Sequence, residues 1–175
     1  VNRAEWVYVE SPNGTAMHIC KRGRDAGGDD GLLTTPGCFG NLPAGEASLN
    51  GVTVRRFPVS RERDVQVFGR TSARVFRERH SLQDELAWLD AEGPTSPALI
   101  AHIGRNEAAY DYFIFFSFRY YQAYHGIRAA ASKALLVPTA EREGAIGLSV
   151  FGPVFRGVRA LMYNSFEERA MIQAV

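Results

Sequence analysis

Apolar and polar residues alternate over residues 4–10 (A-E-W-V-Y-V-E), a period of two that predicts a strand. Ser11, Pro12, Asn13 and Gly14 supply a turn. Residues 15–22 (T-A-M-H-I-C-K-R) return as a second strand, with His18 as a packed strand residue. Residues 23–31 are polar. Their aspartates, Asp25, Asp29 and Asp30, lack the spacing and closing glutamate of a calcium loop, so they read as solvated. Residues 48–54, then Phe57 and Val59, extend the strand signal, with Pro58 favouring an edge or a break. V-Q-V-F at 65–68 predicts another short strand, ended by Gly69.

Helical spacing begins at Thr71 or Ser72, either of which suits an N-cap; Val75, Leu82, Leu86 and Leu89 share a face up to Asp90. Gly93 and Pro94 close that helix. P-A-L-I-A-H-I-G at 97–104 is short, apolar and bounded by helix breakers, and predicts a buried strand whose one polar side chain is His102. Residues 110–124 are dense in aromatics, which favours strand for 112–119. Asp111, Arg119 and Gln122 also share a helical face, so periodicity leaves the two open there. Alanines favour helix over 122–136, and Pro153 opens a last helix to 173 with Val154, Val158, Leu161 and Met162 facing inward. The expected fold class is α+β, in one domain over 1–175. Its antiparallel-rich mixed sheet comes from the first 70 residues and 97–104, with three helices at 72–90, 122–136 and 153–173.

The 175 residues are 46% hydrophobic and 22% charged, a globular rather than a disordered composition. Net charge is +1, which gives no reason to expect nucleic acid. Charge is uneven, however. Eight arginines lie between Arg55 and Arg79 against Glu62, Asp64 and Glu78, a local +5 that reads mostly as a solvated face. No apolar run reaches transmembrane length and no signal peptide is visible, so no membrane partner is expected. Cys20 and Cys38 make neither a disulfide framework nor a zinc ribbon, and both read as reduced in a cytoplasmic protein.

The densest punctuation is P-G-C-F-G-N-L-P-A-G-E at 36–46, where two prolines and three glycines forbid a helix or a central strand. The stretch ends in one carboxylate, Glu46. Asn13-Gly14-Thr15, the 22–24 region, Asp30-Gly31, this loop, residues 65–70 and A-L-I-A-H-I-G-R-N at 98–106 follow one another in an order that resembles the catalytic domain of the thermophilic aminopeptidase family of metallopeptidases. The resemblance covers residues 4–108 and leaves 109–175 divergent. It implies that Glu46 occupies a metal-binding position and that His102 stands where a second metal-binding glutamate is expected. The family's later His-x-Asp pair is missing, and a catalytic zinc needs about three protein ligands. The chain thus resembles a truncated member that has lost its metal site, similar to the peptide-binding proteins of crocagin biosynthesis, a ribosomal peptide natural product.

That resemblance implies a non-catalytic protein that binds an extended peptide in a former peptidase groove, with no metal, no cofactor, and a homodimer as the assembly. Backbone pairing at a sheet edge needs no catalyst. The candidate peptide-binding residues are Glu46, His102, Arg119, Tyr121, Arg55 and Arg56, the arginines suiting acidic groups or a terminal carboxylate. Two other classes stay open. One is a metal-dependent hydrolase or oxygenase using Glu46, His102 and His125, or a cysteine–histidine pair; the other is a structural subunit of a larger assembly.

Overall fold

A computed structural model describes residues 5–10, 15–21, 44–49 and 52–175. Most of the 36–46 loop, Cys38 and Asp25–Asp30 therefore lie outside the described residues. Among the described residues, seven strands form one sheet in the order β3-β4-β1-β2-β5-β6-β7. They are β1 (Glu5–Glu10), β2 (Thr15–Lys21), β3 (Gly45–Leu49), β4 (Val52–Arg56), β5 (Tyr112–Phe116), β6 (Ala134–Val137) and β7 (Ala160–Leu161). Three pairings are antiparallel, β1 with β2, β1 with β4 and β3 with β4. The other three are parallel: β2 with β5, β5 with β6 and β6 with β7. Parallel neighbours need crossovers, and helices supply them: α1 (Val65–Arg77), α2 (Leu82–Glu92) and α3 (Pro97–Asn106) precede β5, α4 (Tyr121–Ala129) joins β5 to β6, and α5 (Gly152–Gly157) joins β6 to β7. A sixth helix, α6 (Phe166–Gln173), follows. The class is α+β, with six α-helices among the described residues where the sequence predicts three.

Each departure has a physical cause. V-Q-V-F at 65–68 is the first turn of α1, because Asp64 Oδ1 caps it by accepting from Gln66 N (2.8 Å) and Val67 N (3.0 Å). The single helix expected over 72–90 is two. Ser81 starts the second through a capping box, its hydroxyl accepting from Asp84 N while Asp84 accepts from Ser81 N. Residues 97–104, expected as a strand, are helix α3, with Pro97 in its first turn and Leu99 and Ile103 buried one turn apart. The helix expected over 122–136 stops at Ala129, and Ala134–Val137 pairs with β5. The helix expected over 153–173 is interrupted at Gly157 and restarts where Ser165 Oγ accepts from Glu168 N. Met162 is accordingly 47% exposed rather than inward. Strand is right for Tyr112–Phe116, whose buried positions alternate.

The core lies between the parallel strands and the helices. Trp88, Phe113, Phe115, Phe118 and Phe151 are its largest fully buried side chains. Phe118 meets Phe151 edge-on at 4.9 Å between centroids, and Phe151 meets Trp88 edge-on at 6.3 Å, arrangements that add about 0.5–1.5 kcal/mol each beyond burial. This chain of rings fixes the end of β5 against α2 and α5, and so positions the cluster described next.

Candidate functional site

Helix α2 places Glu85, Trp88, Leu89 and Glu92 on its buried stripe, so two carboxylates are carried into the interior at a spacing that suits apolar residues. Buried carboxylates need partners. Glu85 accepts from Ser149 Oγ (2.8 Å), Val150 N (2.9 Å) and His80 Nε2 (3.1 Å). Burial raises its pKa, but these bonds outweigh that and hold it below the usual carboxylate value. Glu85 is an anchor for the loop after β6.

Glu92, 1% exposed, faces two guanidinium groups. Arg63 donates through Nη2 to Glu92 Oε1 (2.6 Å) and through Nε to its backbone oxygen (2.6 Å). Arg119 Nη2 lies 3.1 Å from the same Oε1, and Arg119 Nη1 donates to Glu143 Oε2. The Arg119 guanidinium carbon sits 5.5 Å from the centroid of Trp88. Burial alone would lower the Arg119 pKa; Glu92 and Glu143 reverse that, and it is raised. Glu143 is also raised, first by burial and then by the like charge of Glu92, with Arg119 opposing both. Gln122 Nε2 donates to Pro94 O (2.6 Å). Among the described residues, Glu92 Oε2, Gln122 Oε1 and Arg119 Nε are buried without a hydrogen-bond partner.

The cluster lies just past the C-terminal ends of β5 and β6, and both ends are strained. Ser117 (φ 64°) and Thr139 (φ 49°) are the described non-glycine residues with positive φ. For β-branched Thr139 that conformation is a genuine outlier. Their hydroxyls are 2.6 Å apart. Surrounding bonds impose the geometry: Ser117 N donates to Val137 O, Phe118 N to Pro138 O, and Ala140 N to the buried carboxylate of Glu168. The segments that follow β5 and β6 thus carry two bonded hydroxyls, and a half-buried guanidinium paired with a half-buried carboxylate and backed by the Arg63–Glu92 pair.

The residues singled out in the sequence do not form one site. Glu46 stands opposite Arg55 in the β3–β4 register and accepts from its Nε (2.9 Å), while Arg55 Nη1 donates to Tyr110 Oη (3.1 Å). Arg56 is half-buried at the end of β4, in register with Gly45 and Val7. His102 is on α3, tilted over Phe57 at 5.0 Å, with Asn106 Nδ2 3.3 Å from its Nδ1. No described contact joins Glu46 to His102. Tyr121 opens α4 and stacks on His125 at 4.3 Å. Burial raises the Tyr121 pKa and lowers that of His125, Asp90 adding to the first and opposing the second. Of the six, Arg119 alone belongs to the strand-end cluster. Ser117, Thr139, Glu92, Gln122 and Glu143 were missed. For Glu92 the legible signal was a glutamate seven residues after Glu85 on an otherwise apolar stripe.

Among the described residues no group of three His, Cys, Asp or Glu side chains is gathered as for a metal ion, and no helix is long and apolar enough to cross a membrane. No family model matches the chain, and neither a curated protein nor a solved structure matches it.

Proposed function

We propose that this is a binding protein whose ligand site lies at the C-terminal ends of β5 and β6, around Ser117, Arg119, Thr139 and Glu143. The carrying observation is the pair of strained, mutually bonded hydroxyl residues just past the ends of two adjacent parallel strands. Backbone strain of this kind costs about 1–3 kcal/mol per residue and collects at ligand sites. Ligands of sheets with parallel strands bind beyond their carboxyl ends. The ligand class supported by the aminopeptidase resemblance is an extended peptide, and the incomplete ligand set of that resemblance supports binding without cleavage, in the assembly of a ribosomal peptide natural product. A second reading, strand addition along β3, is favoured by its place at one end of the strand order.

Thr139→Gly tests the first reading. It removes the strain and one hydroxyl. The expected result is a more stable protein, relief of about 1–3 kcal/mol of strain exceeding glycine's entropic cost of about 0.5–1 kcal/mol, that has lost affinity for short N-acetylated peptides in calorimetric titration. Unchanged affinity in the stabilised variant would refute a role for the strained pair in binding.

A further inference from the structure

We propose that Glu143 is the resident occupant of a carboxylate subsite on Arg119, and that the terminal carboxylate of a ligand takes its place. This rests on the reading that the ligand site lies at the ends of β5 and β6. The argument begins with charge. Arg63, Arg119, Glu92 and Glu143 form a balanced set of two cations and two anions. Glu92 is fixed: it is sealed on α2, and Arg63 clamps both its side chain and its backbone oxygen. Glu143 is not fixed in that way. It stands in the segment after β6, its side chain about a quarter exposed (24%), between exposed Arg142 and Gly144. Take Glu143 away and two guanidiniums face one carboxylate, leaving a positive charge at the exposed end of the cluster.

The donor inventory agrees. A guanidinium has five N–H groups. Arg119 turns Nη2 toward Glu92 and Nη1 toward Glu143, and its Nε has no partner among the described residues. Of the mutually bonded Ser117 Oγ and Thr139 Oγ1, one donates to the other, and the second hydroxyl keeps its O–H to donate to an anion. A carboxylate is the group that Arg119 already holds there, so a peptide's C-terminus replaces like with like, in the bidentate manner guanidinium favours.

The exchange is pH-dependent. Glu143 is faced by Arg119 from the β5–α4 connection, by Glu92 from α2 with Arg63 behind it, and by Glu141 of its own segment. Its pKa lies above the ordinary carboxylate value, whereas a free α-carboxyl titrates near about 3.3–3.7. As pH falls from neutrality, Glu143 discharges first and releases Arg119 while the ligand keeps its charge.

The test titrates acetyl-dialanine, its C-terminal amide and inorganic phosphate into the full chain and into Glu143→Gln, followed by calorimetry and amide chemical shifts. The expected result is acid binding about tenfold tighter to the variant, a difference of about 1.4 kcal/mol. The amide should gain nothing, and the shifts should centre on residues 117–119 and 139–143. Acid binding to the unmutated chain should tighten as pH falls, and that dependence should vanish in the variant. Equal acid and amide affinities in both proteins, with those same residues perturbed, would overturn the carboxylate exchange and leave the ligand site standing. Phosphate binding tighter than the acid would overturn the choice of carboxylate. No perturbation at those residues by any probe would overturn both. Glu143→Asp, which retracts the carboxylate by one methylene, repeats the test should Glu143→Gln fold poorly; a smaller gain for the acid over the amide is expected of it, with the pH dependence kept.

Discussion

At the scale of single residues, two glutamates bonded to arginine have opposite weights. Glu46 and Arg55 form an exposed pair, and such pairs contribute about 0–1 kcal/mol. Glu92 is sealed beneath two guanidiniums. Removing one member of a buried pair leaves the other charge uncompensated and costs about 3–5 kcal/mol. Urea denaturation should therefore show Glu92→Ala destabilised by about that amount and Glu46→Ala barely changed. Acid titration separates two further glutamates by sign. The Glu85 pKa is depressed in the fold, so its stabilisation is present above the unfolded value of about 4.3 and is lost as pH falls through the folded value. The Glu143 pKa is raised, so the stability it withholds at neutral pH is recovered as pH falls through its folded value. Glu85→Gln should flatten the loss of stability below about pH 4.3. Glu143→Gln should remove the gain at higher pH, and thermal unfolding across the pH range reads both.

At the scale of elements, the sequence was legible where the pattern was local and two-sided. Alternation over residues 4–10 and the turn after it place β1 and β2, and aromatic density favours strand at Tyr112–Phe116, where periodicity left helix open. It misled where capping decided the outcome. P-A-L-I-A-H-I-G reads as a buried strand from apolarity alone, yet Pro97 preorganises a first helical turn and Leu99 and Ile103 then meet the core as one helical face. Ser81-x-x-Asp84 marked a new helix inside an expected single one. Ala134–Val137 has alanine and leucine, good helix formers, but its place beside β5 fixes it as strand, a case of tertiary pairing overriding weak propensity. Helix α4 crosses β5 closely at Gly126. A Cβ on Gly126 would lie 2.4 Å from Phe115 Cε1 and 3.3 Å from Ile103 Cδ1. Phe115 is sealed in the core and has no room to retreat. Gly126→Ala should therefore cost about 1–3 kcal/mol through overpacking, read as a lowered midpoint in the same urea unfolding experiment.

At the scale of the whole molecule, the uneven charge of the sequence has a structural answer. Arg55, Arg61, Arg63 and Arg74 of the arginine-rich run pair with Glu46, Asp90, Glu92 and Asp84, carboxylates outside that run. Arg70, Arg77 and Arg79 are exposed, as a solvated face requires. The strand-end cluster was not legible in advance because its members come from five separate stretches of chain: Arg63, Glu92, Ser117 to Gln122, Thr139 and Glu143. The parallel pairing of β5 with β6 brings the Ser117 and Thr139 stretches together, and α2 carries Glu92, with Arg63, to Arg119. Local pattern reports on neighbours in sequence, and this cluster is a product of topology. The central claim is that the ligand is held at those strand ends. Photo-crosslinking of N-acetylated peptides with a free C-terminal carboxylate and a benzophenone, mapped by mass spectrometry on the full chain, tests it most directly. The account predicts crosslinks on residues 117–119 and 138–143, with the peptide recovered at full length. Crosslinks confined to Gly45–Leu49 of the outer strand would contradict it.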